Sequence, residues 1–279
     1  MGRAHRTWIR RPVPTVTWVA KIGGSVRDPD AILREIAEHS ERFIVVHGAS
    51  RDLDALSTRL GRSPRMVESE RGDVSRYTDT VAMDHFLMAY AGKANKRIVE
   101  RLRQLGRNAI GLSGLDAGVV RGRRRADLRI RENGRLKMLH DNHVGVIEHV
   151  DARFLCSILD AGYTPVLCPP IAAEDGTAIN VDGDKLAAEI AVALHADRLL
   201  IFADTPGLLR DEGDDSTLIE SVSGRDVASA LEVTGGRART KLRAAAGAKQ
   251  RGVTAVGLVD GRCDRPLAAA LDGAGTWLV

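Results

Sequence analysis

The sequence has few cysteines, and their spacing excludes two ways of stabilising a small fold. Its 279 residues include three, Cys156, Cys168 and Cys263, an odd number without the close spacing of metal ligands. A disulfide framework and a zinc site are therefore not expected. A reducing, cytoplasmic location fits this composition.

The sequence also lacks a long apolar run. None approaches the roughly 18 residues needed to suggest a membrane span, and the N-terminus lacks the apolar core and cleavage site of a secretory signal. Residues 1–15 instead hold four arginines and two prolines. Because proline interrupts helices, we expect a loosely attached basic extension there and no membrane association.

Aromatic residues are scarce as well, at 4% of the chain. The computed pI near 9.1 would suit nucleic acid, but the formal net charge is only +4, and aromatic stacking platforms are few. An anionic small molecule or an acidic protein is the more fitting partner.

What the sequence does contain is an alternation of short β-branched runs with amphipathic stretches, which predicts an α/β fold with parallel strands and crossover helices. The predicted strands cover residues 16–22, 43–46, 109–112, 165–168, 199–203, 255–259 and 276–279. One amphipathic helix is predicted from an apolar stripe with helical spacing: Met83, Phe86, Tyr90, Ala94, Ile98, Leu102 and Leu105. The segment 167–170 is a candidate hinge between an N-terminal lobe, 16–168, and a C-terminal lobe, 169–279.

Small residues follow the first two predicted strands. Lys21 ends the first strand and precedes Gly23 and Gly24, while the second ends before the sequence Gly48-Ala49-Ser50. The carboxyl ends of parallel strands meet at one sheet edge, where ligands of open α/β sheets bind. Alone, such a turn is more often structural, with a solvated lysine. No GxxxxGK[ST] motif occurs, so a phosphate site here is not a P-loop.

Together with five later segments, these strand ends resemble the amino-acid kinase family over residues 16–279. The five segments are 76–79 (RYTD), 91–96 (AGKANK), 179–184 (INVDGD), 203–209 (ADTPGLL) and 236–241 (GRARTK). The resemblance implies a central, mostly parallel sheet flanked by helices in a three-layer αβα sandwich. It also implies transfer of a phosphoryl group from ATP, with Mg²⁺, to a carboxylate. A homodimer is expected on the same grounds.

The resemblance implies roles for individual residues. The catalytic residues would be Lys21, Asp184 and Lys241. Amides of Gly23, Gly24, Gly48 and Ala49, with Ser50, would bind phosphate oxygens; Arg76, Asn180 and Asp182 would bind the substrate, and Asp204, Pro206, Gly207 and Leu208 the nucleotide. Chemistry supports a site without a general base, because a carboxylic acid with a pKa of about 4.3 is already an anionic nucleophile at neutral pH.

Simpler roles compete for some of these residues. Asp182 suits the N-cap of a helix, with capping secondary for Asp184. His140 and His143 lack a third metal ligand, so we expect solvated or substrate-loop histidines and no protein-bound metal. Met83 and Met88 are expected in the core.

Within the family, residues 109–116, the prolines at 169–170 and Asp182 resemble kinases that act on 2-aminoadipate or glutamate tethered to a small amino-group carrier protein. Ala49 and Ser50 depart from the glycines usual in acetylglutamate kinases. The alternative enzyme is an N-acetylglutamate kinase acting on the free small molecule. A non-catalytic nucleotide sensor is a third possibility, which the retained Lys21, Asp184 and Lys241 argue against.

Residues 128–138 alternate on both sides of Asn133-Gly134, which predicts a β-hairpin. A three-residue turn would pair Ile130 with Leu136 and Leu128 with Met138 on one apolar face. The other face would then be basic, with further arginines upstream: Arg123, Arg124, Arg125, Arg129, Arg131, Arg135 and Lys137. A solvated surface explains this composition equally well; the family resemblance favours docking of an acidic carrier protein.

Overall fold

The computed structural model of the chain describes residues 16–69, 74–132 and 135–279. The predicted basic extension, residues 1–15, lies outside the described residues. In the part described, no helix has the length and apolar character needed to cross a membrane. The predicted α/β fold with a mostly parallel central sheet is confirmed.

The strands include all those predicted. They are β1 (Thr17–Ile22), β2 (Arg42–His47), β3 (Met66–Ser69), β4 (Val74–Arg76), β5 (Ala109–Gly114), β6 (Val120–Arg125), β7 (Leu128–Glu132), β8 (Arg135–Leu139), β9 (Val144–Val150), β10 (Thr164–Ala172), β11 (Ala178–Ile179), β12 (Arg198–Ala203), β13 (Leu208–Leu209), β14 (Leu218–Ile219), β15 (Ser221–Val222), β16 (Ala255–Asp260) and β17 (Thr276–Leu278).

The α-helices connect these strands. They are α1 (Asp30–Glu38), α2 (Ser50–Arg59), α3 (Thr80–Leu87), α4 (Asn95–Gln104), α5 (Ala152–Asp160), α6 (Gly183–Ala193), α7 (Val227–Val233), α8 (Gly236–Gln250) and α9 (Pro266–Leu271). A π-helical segment, Met88–Ala94, joins α3 to α4, and short 3₁₀ turns cover Asp116–Gly118 and Asp215–Thr217.

The central sheet has the order β15-β17-β16-β12-β1-β2-β10-β6-β9, and β5 and β11 also pair with β10. β1 pairs in parallel with β2 and with β12, so the carboxyl ends of these three strands open onto one edge. The candidate hinge at 167–170 lies inside β10, whose residues are all buried.

Helices cover both faces of the sheet because side chains alternate along each strand. On one face, Val19 packs in a cluster with residues of α5, α6, α7 and α8. On the other, Trp18 and Ala20 pack with residues of α1, α4 and α9. Lys21 follows Val19 by two residues and therefore points toward the side of α6 and α8, whereas His47 follows Phe43 and Val45 toward α4.

The predicted helix over 83–105 is not one continuous α-helix, because the π-helical segment interrupts it. Met83 is buried as expected, but Met88 is 51% exposed, so its assignment to the core was wrong. Met88 is two residues from both Phe86 and Tyr90, so it lies off their face of the helix, whereas Ala89 is buried.

A second sheet, in the order β4-β3-β7-β8, contains the predicted hairpin. Its predicted register was wrong: Ile130 pairs with Lys137 and Arg131 with Leu136. The reason is Leu139, which packs with Ile130 and Val67 in a small buried cluster. The predicted αL residue, Gly134, lies outside the described residues.

This register also corrects the predicted basic face. Directly paired residues share a face, so Arg129 and Arg131 lie with Leu136 and Met138, which are 55% and 36% exposed. Arg135 and Lys137 lie on the opposite face, with Ile130. The four cations are therefore divided between the two faces of the hairpin.

Candidate active site

Two lysines and one aspartate meet at the carboxyl end of β1. Lys21 Nζ lies 2.6 Å from Asp184 Oδ1, and Lys241 Nζ lies 4.0 Å from Asp184 Oδ2. The side chains of Lys21 and Asp184 are each only 6% exposed, and that of Lys241 is 15% exposed. Residues from β1, α6 and α8, far apart in the sequence, thus form a single buried charge cluster, which we call the triad.

Asp184 is positioned by the start of α6. The carboxylate of Asp182 accepts hydrogen bonds of 2.9 Å from the amides of Asp184 and Lys185, so the helix-capping interpretation of Asp182 is confirmed. This cap fixes Asp184 in the first turn of α6, directed at Lys21. The positive end of the α6 dipole lies at this first turn and also stabilises the Asp184 carboxylate.

Burial and charge act against each other in the triad. Burial acts to raise the pKa of Asp184, but Lys21 and Lys241 outweigh it and hold that pKa below its usual range. Burial lowers the pKa of Lys241, against the opposing influence of Asp184. The triad carries one net positive charge when all three groups are ionised, as suits a site for an anion.

Beside the triad, the loops after β1 and β2 touch through glycines. A Cβ on Gly24 would lie 2.6 Å from the amide nitrogen of Ser50, and one on Gly48 would lie 2.8 Å from that of Gly24. Only residues without a side chain allow this approach. The two loops and the first turn of α2 form a cradle of backbone amides.

Not every amide of the cradle is available as expected. The amides of Gly23 and Gly48 donate to the carbonyl oxygens of Phe202 and Ile22, both at 2.9 Å. These two cannot serve as phosphate donors as predicted, because the sheet already uses them. The amides of Gly24 and Ser50 make no hydrogen bond within the described part of the chain, so they are the open donors.

His47 and Asn95 form a buried support below the cradle that the sequence reasoning missed. The Asn95 side-chain amide donates to His47 Nε2 at 3.2 Å and to the Val166 carbonyl at 2.9 Å. The other ring nitrogen of His47 lies 3.3 Å from the Gly48 carbonyl and, in this tautomer, donates to it. Burial lowers the pKa of His47 to about 4, so the ring is neutral at pH 7. A histidine at the end of an apolar strand was the available signal.

The predicted substrate residues lie in the same part of the molecule. Arg76, whose side chain is 16% exposed, forms an ion pair of 2.5 Å with Asp54 of α2. Asn180 donates from its side chain to Thr78 Oγ1 at 3.3 Å and from its amide to the His143 carbonyl at 2.6 Å. Asp54 was not predicted; a substrate carboxylate reaching Arg76 would have to compete with it.

The predicted nucleotide loop is anchored to β17. Leu208 is buried in the core, and its amide donates to Thr276 Oγ1 at 2.8 Å. A Cβ on Gly207 would lie 2.6 Å from the same hydroxyl. Leu208 therefore has a packing role, whereas Asp204 is exposed and close enough to Lys241 to act on its pKa. Pro206 is partly exposed between them.

Several cations and histidines predicted near the hairpin have acidic neighbours. Arg123 pairs with Glu148 at 3.0 Å, Arg124 with Asp141 at 3.3 Å, and Lys137 with Glu132 at 3.1 Å. His140 and His143 likewise lie against Asp127 and Asp141. Among residues 16–69, 74–132 and 135–279, no group of three His, Cys, Asp or Glu side chains could hold a metal ion.

Comparison with known proteins finds one matching family profile and several similar kinases. The amino acid kinase family profile matches residues 16–260. A LysW-aminoadipate kinase of Deinococcus radiodurans is 44% identical over 262 residues, covering 92% of this chain and 90% of that protein. A LysW-aminoadipate kinase of Thermus thermophilus is 36% identical, covering 92% of this chain and 98% of the relative. An acetylglutamate kinase of Methanopyrus kandleri is 39% identical, covering 88% and 97%.

Solved structures share the fold. An N-acetylglutamate synthase of Neisseria gonorrhoeae superposes with a TM-score of 0.77 at 25% identity, covering 96% of this chain, which spans 60% of that protein. A carbamate kinase of Giardia lamblia, bound to AMP-PNP, superposes with a TM-score of 0.63 at 13% identity, covering 95% of this chain and 98% of that one. The second likeness shows a common fold alone.

Proposed function

The chain belongs to the amino acid kinase family and is a phosphotransferase that acts on a carboxyl group, and we propose that ATP is its phosphoryl donor. The proposed product is an acyl phosphate. The observation that carries this proposal is the buried triad of Lys21, Asp184 and Lys241 beside the glycine cradle. Buried cations next to open amides suit a phosphate group better than any neutral ligand.

In the proposed reaction, the acceptor carboxylate attacks the terminal phosphorus directly and needs no base. Lys21 and Lys241 neutralise the charge that develops on the transferred group, and Asp184 holds the two ammonium groups apart and in place. The amides of Gly24 and Ser50 bind phosphate oxygens. Mg²⁺ would be brought by the phosphates of ATP and would neutralise part of their charge. Catalysis then consists of positioning and electrostatic stabilisation.

The acceptor we propose is the side-chain carboxylate of 2-aminoadipate linked to an acidic amino-group carrier protein. The names of the relatives from Deinococcus and Thermus support this choice. Arg76 would bind the carboxylate nearest the link, displacing Asp54, and Asn180 would bind the adjoining amide. Residues 16–168 would bind the acceptor and residues 169–279 the nucleotide, the latter including Asp204 and the loop through Gly207. A cytoplasmic location remains a prediction of the composition, and a homodimer remains a prediction of the resemblance.

Free N-acetylglutamate is the second candidate acceptor, which the relative from Methanopyrus supports. The exposed cations Arg125, Arg129 and Arg131 favour the carrier-linked substrate, because a small molecule needs no such surface outside the site. An acidic protein would gain both encounter rate and orientation from it.

Trapping of the acyl phosphate with hydroxylamine tests the proposal. Purified protein, ATP and Mg²⁺ are incubated with carrier-linked 2-aminoadipate, carrier-linked glutamate, free 2-aminoadipate or free N-acetylglutamate, and the hydroxamate is measured. We expect the highest kcat/KM with carrier-linked 2-aminoadipate. Preference for free N-acetylglutamate would select the second candidate, and no hydroxamate with any acceptor would refute both.

A further inference from the structure

Two segments that carry the family resemblance, 91–96 and 109–116, meet at a buried asparagine outside the triad. Asn95 begins α4, and its side chain lies against β5. A Cβ on Gly111 of β5 would lie 2.0 Å from Asn95 Oδ1 and 2.8 Å from Lys96 Nζ. The glycine is therefore required for the asparagine and the lysine to take their places against this strand.

The orientation of the Asn95 amide is fixed by its neighbours. Its nitrogen donates to the carbonyl oxygens of Val166 at 2.9 Å and Leu112 at 3.3 Å. Its oxygen accepts a hydrogen bond of 3.2 Å from the ammonium group of Lys96. A rotation of the amide by 180° would put its oxygen against two carbonyl oxygens and its NH₂ group against an ammonium. The hydrogen-bond network thus allows one orientation.

This orientation selects the tautomer of His47. Nε2 of the buried ring lies 3.2 Å from the Asn95 amide nitrogen, which has no lone pair to accept a proton. Nε2 must therefore be the acceptor. The lowered pKa of His47 keeps the ring neutral at pH 7, so its one proton is on Nδ1, which lies 3.3 Å from the Gly48 carbonyl oxygen. His47 donates to that carbonyl.

The Gly48 carbonyl belongs to the peptide that leads into α2. This peptide is planar and trans, so a bond that fixes the carbonyl also fixes the opposite direction of the Ala49 amide. The amide nitrogens of Ala49 and Ser50 lie 2.9 Å and 2.6 Å from the place where a Cβ of Gly24 would be. A rotation of the peptide would therefore change the cradle itself.

We propose that His47, held as the Nδ1–H tautomer by Asn95, is a positioning residue that directs the cradle amides at the phosphates of ATP by fixing the Gly48–Ala49 peptide. The role rests on the proposed function and adds to it. Lys21 and Lys241 supply charge to the site, whereas the histidine fixes the direction of uncharged donors. Segments 91–96 and 109–116 would then serve phosphate binding without contacting the nucleotide.

The test compares two substitutions that each retain one end of the ring. In His47→Gln the longer amide can still accept from Asn95 but has no donor toward Gly48, whereas in His47→Asn the shorter amide can donate to Gly48 but does not reach Asn95. We expect the Kd for ATP to rise about 10-fold in His47→Gln and to stay within about threefold of wild type in His47→Asn. A role in packing alone predicts the reverse order, because asparagine leaves the larger cavity.

Two measurements are needed. Calorimetry with ATP and Mg²⁺ gives the Kd, and His85→Gln is the control. The ring of His85 is also buried but bonds to Ser57, so its loss should change the Kd by about twofold or less. Nitrogen-15 NMR of histidine-labelled wild type, with the His47 signals assigned by through-bond correlation, identifies the protonated ring nitrogen. This measurement tests the tautomer even where a variant does not fold.

The outcomes separate this role from the proposed function. If wild type forms hydroxamate and His47→Gln binds ATP as tightly as wild type does, the role of His47 is wrong and the proposed function stands. A proton on Nε2, weaker binding in His47→Asn than in His47→Gln, or an equal loss in His85→Gln would also overturn the role. If wild type neither binds ATP nor forms hydroxamate with any acceptor, the proposed function fails and this inference fails with it.

Discussion

The triad and the β7-β8 hairpin both concentrate positive charge, but the two regions hold it in opposite ways. In the triad, Lys21 and Lys241 share one aspartate and are almost fully removed from water. On the hairpin, Arg129, Arg131 and Arg135 are exposed on two faces of a small sheet. Buried charge requires partners fixed by the fold, whereas exposed charge is screened and tolerates many arrangements.

This difference bears on how each region works. The triad can stabilise charge that develops on a reacting group close to it, because little water is present to screen the interaction. The hairpin can act only through encounter and orientation of a large partner. Substitutions should therefore change turnover or stability in the first region and substrate capture in the second.

The largest effect is expected for Asp184→Asn. It removes the carboxylate that Lys21 and Lys241 share, and breaking a buried ion pair in this way costs about 3 to 5 kcal/mol. Misplaced lysines should also lower kcat by about 10³-fold. Urea unfolding and steady-state kinetics measure the two effects. Glu189→Gln is the control, since it removes a carboxylate of the same helix whose ion pair with Arg251 is solvent-accessible; a similar loss there would deny the triad a special role.

The lysines are next. Lys21→Ala and Lys241→Ala should each lower kcat by about 10²-fold or more, since each removes one cation from the developing phosphoryl charge. The fold should survive, because Asp184 keeps the other lysine. Lys185→Ala is the control. Lys185 is exposed on α6, the helix that carries Asp184, and its loss should leave kcat unchanged. Near-normal turnover of either triad variant, measured on folded protein, would remove that lysine from the mechanism.

The buried support of the cradle should make stability depend on pH. The pKa of His47 is about 4 in the folded protein and 6.5 in the unfolded chain, so between these values the unfolded state binds more protons and stability rises with pH. On acidification from pH 6.5 to pH 4, His47 should cost about 3 kcal/mol. Urea unfolding of wild type and His47→Gln across this range measures the difference. Equal slopes for wild type and His47→Gln would contradict the assignment.

The sequence was a good guide to the central sheet for a physical reason. Its strands are short buried runs whose ends place Lys21 and Gly48 at one edge whatever the exact helix geometry, and Asp182 is a recognisable helix cap. Contacts between segments that are distant in the chain could not be predicted from the sequence. Neither the Arg76–Asp54 pair nor the use of the Gly23 amide by Phe202 leaves a local pattern in the sequence.

In the hairpin the sequence was misleading for a different reason. Alternation alone allowed two registers, and the apolar set ending in Met138 fitted one of them. The structure selects the other because Leu139 reaches the buried cluster with Ile130, a contact with β3 that lies 60 or more residues away in the chain. When the pairing shifts by one residue, every side chain of one strand changes its face relative to the other strand of the hairpin.

Arg76→Lys should have a smaller effect than the triad substitutions and a larger effect than the hairpin substitutions. Lysine keeps the charge but loses the planar fork that binds a carboxylate through two hydrogen bonds. We expect KM for the acceptor to rise about 10-fold with the Kd for ATP unchanged. Asp54→Asn should have the opposite sign, a lower KM, because it removes the carboxylate that competes for Arg76. Loss of ATP affinity with an unchanged acceptor KM would place Arg76 in the nucleotide site.

The smallest effect is expected on the hairpin, where the two faces can be tested against each other. Arg129→Ala with Arg131→Ala removes the cations that share a face with the exposed Leu136 and Met138. Arg135→Ala with Lys137→Ala removes those of the other face, where Lys137 already pairs with Glu132.

If an acidic carrier docks on the first face, the first double variant should raise KM for the carrier-linked substrate about fivefold and flatten its salt dependence, while the second changes KM by about twofold or less. Turnover at saturation should be normal in both, because neither face reaches the triad. Steady-state kinetics at several salt concentrations decides between the faces. Equal effects would mean that the hairpin acts only through its total charge, and no effect in either variant would leave it a solvated surface and move the docking site elsewhere.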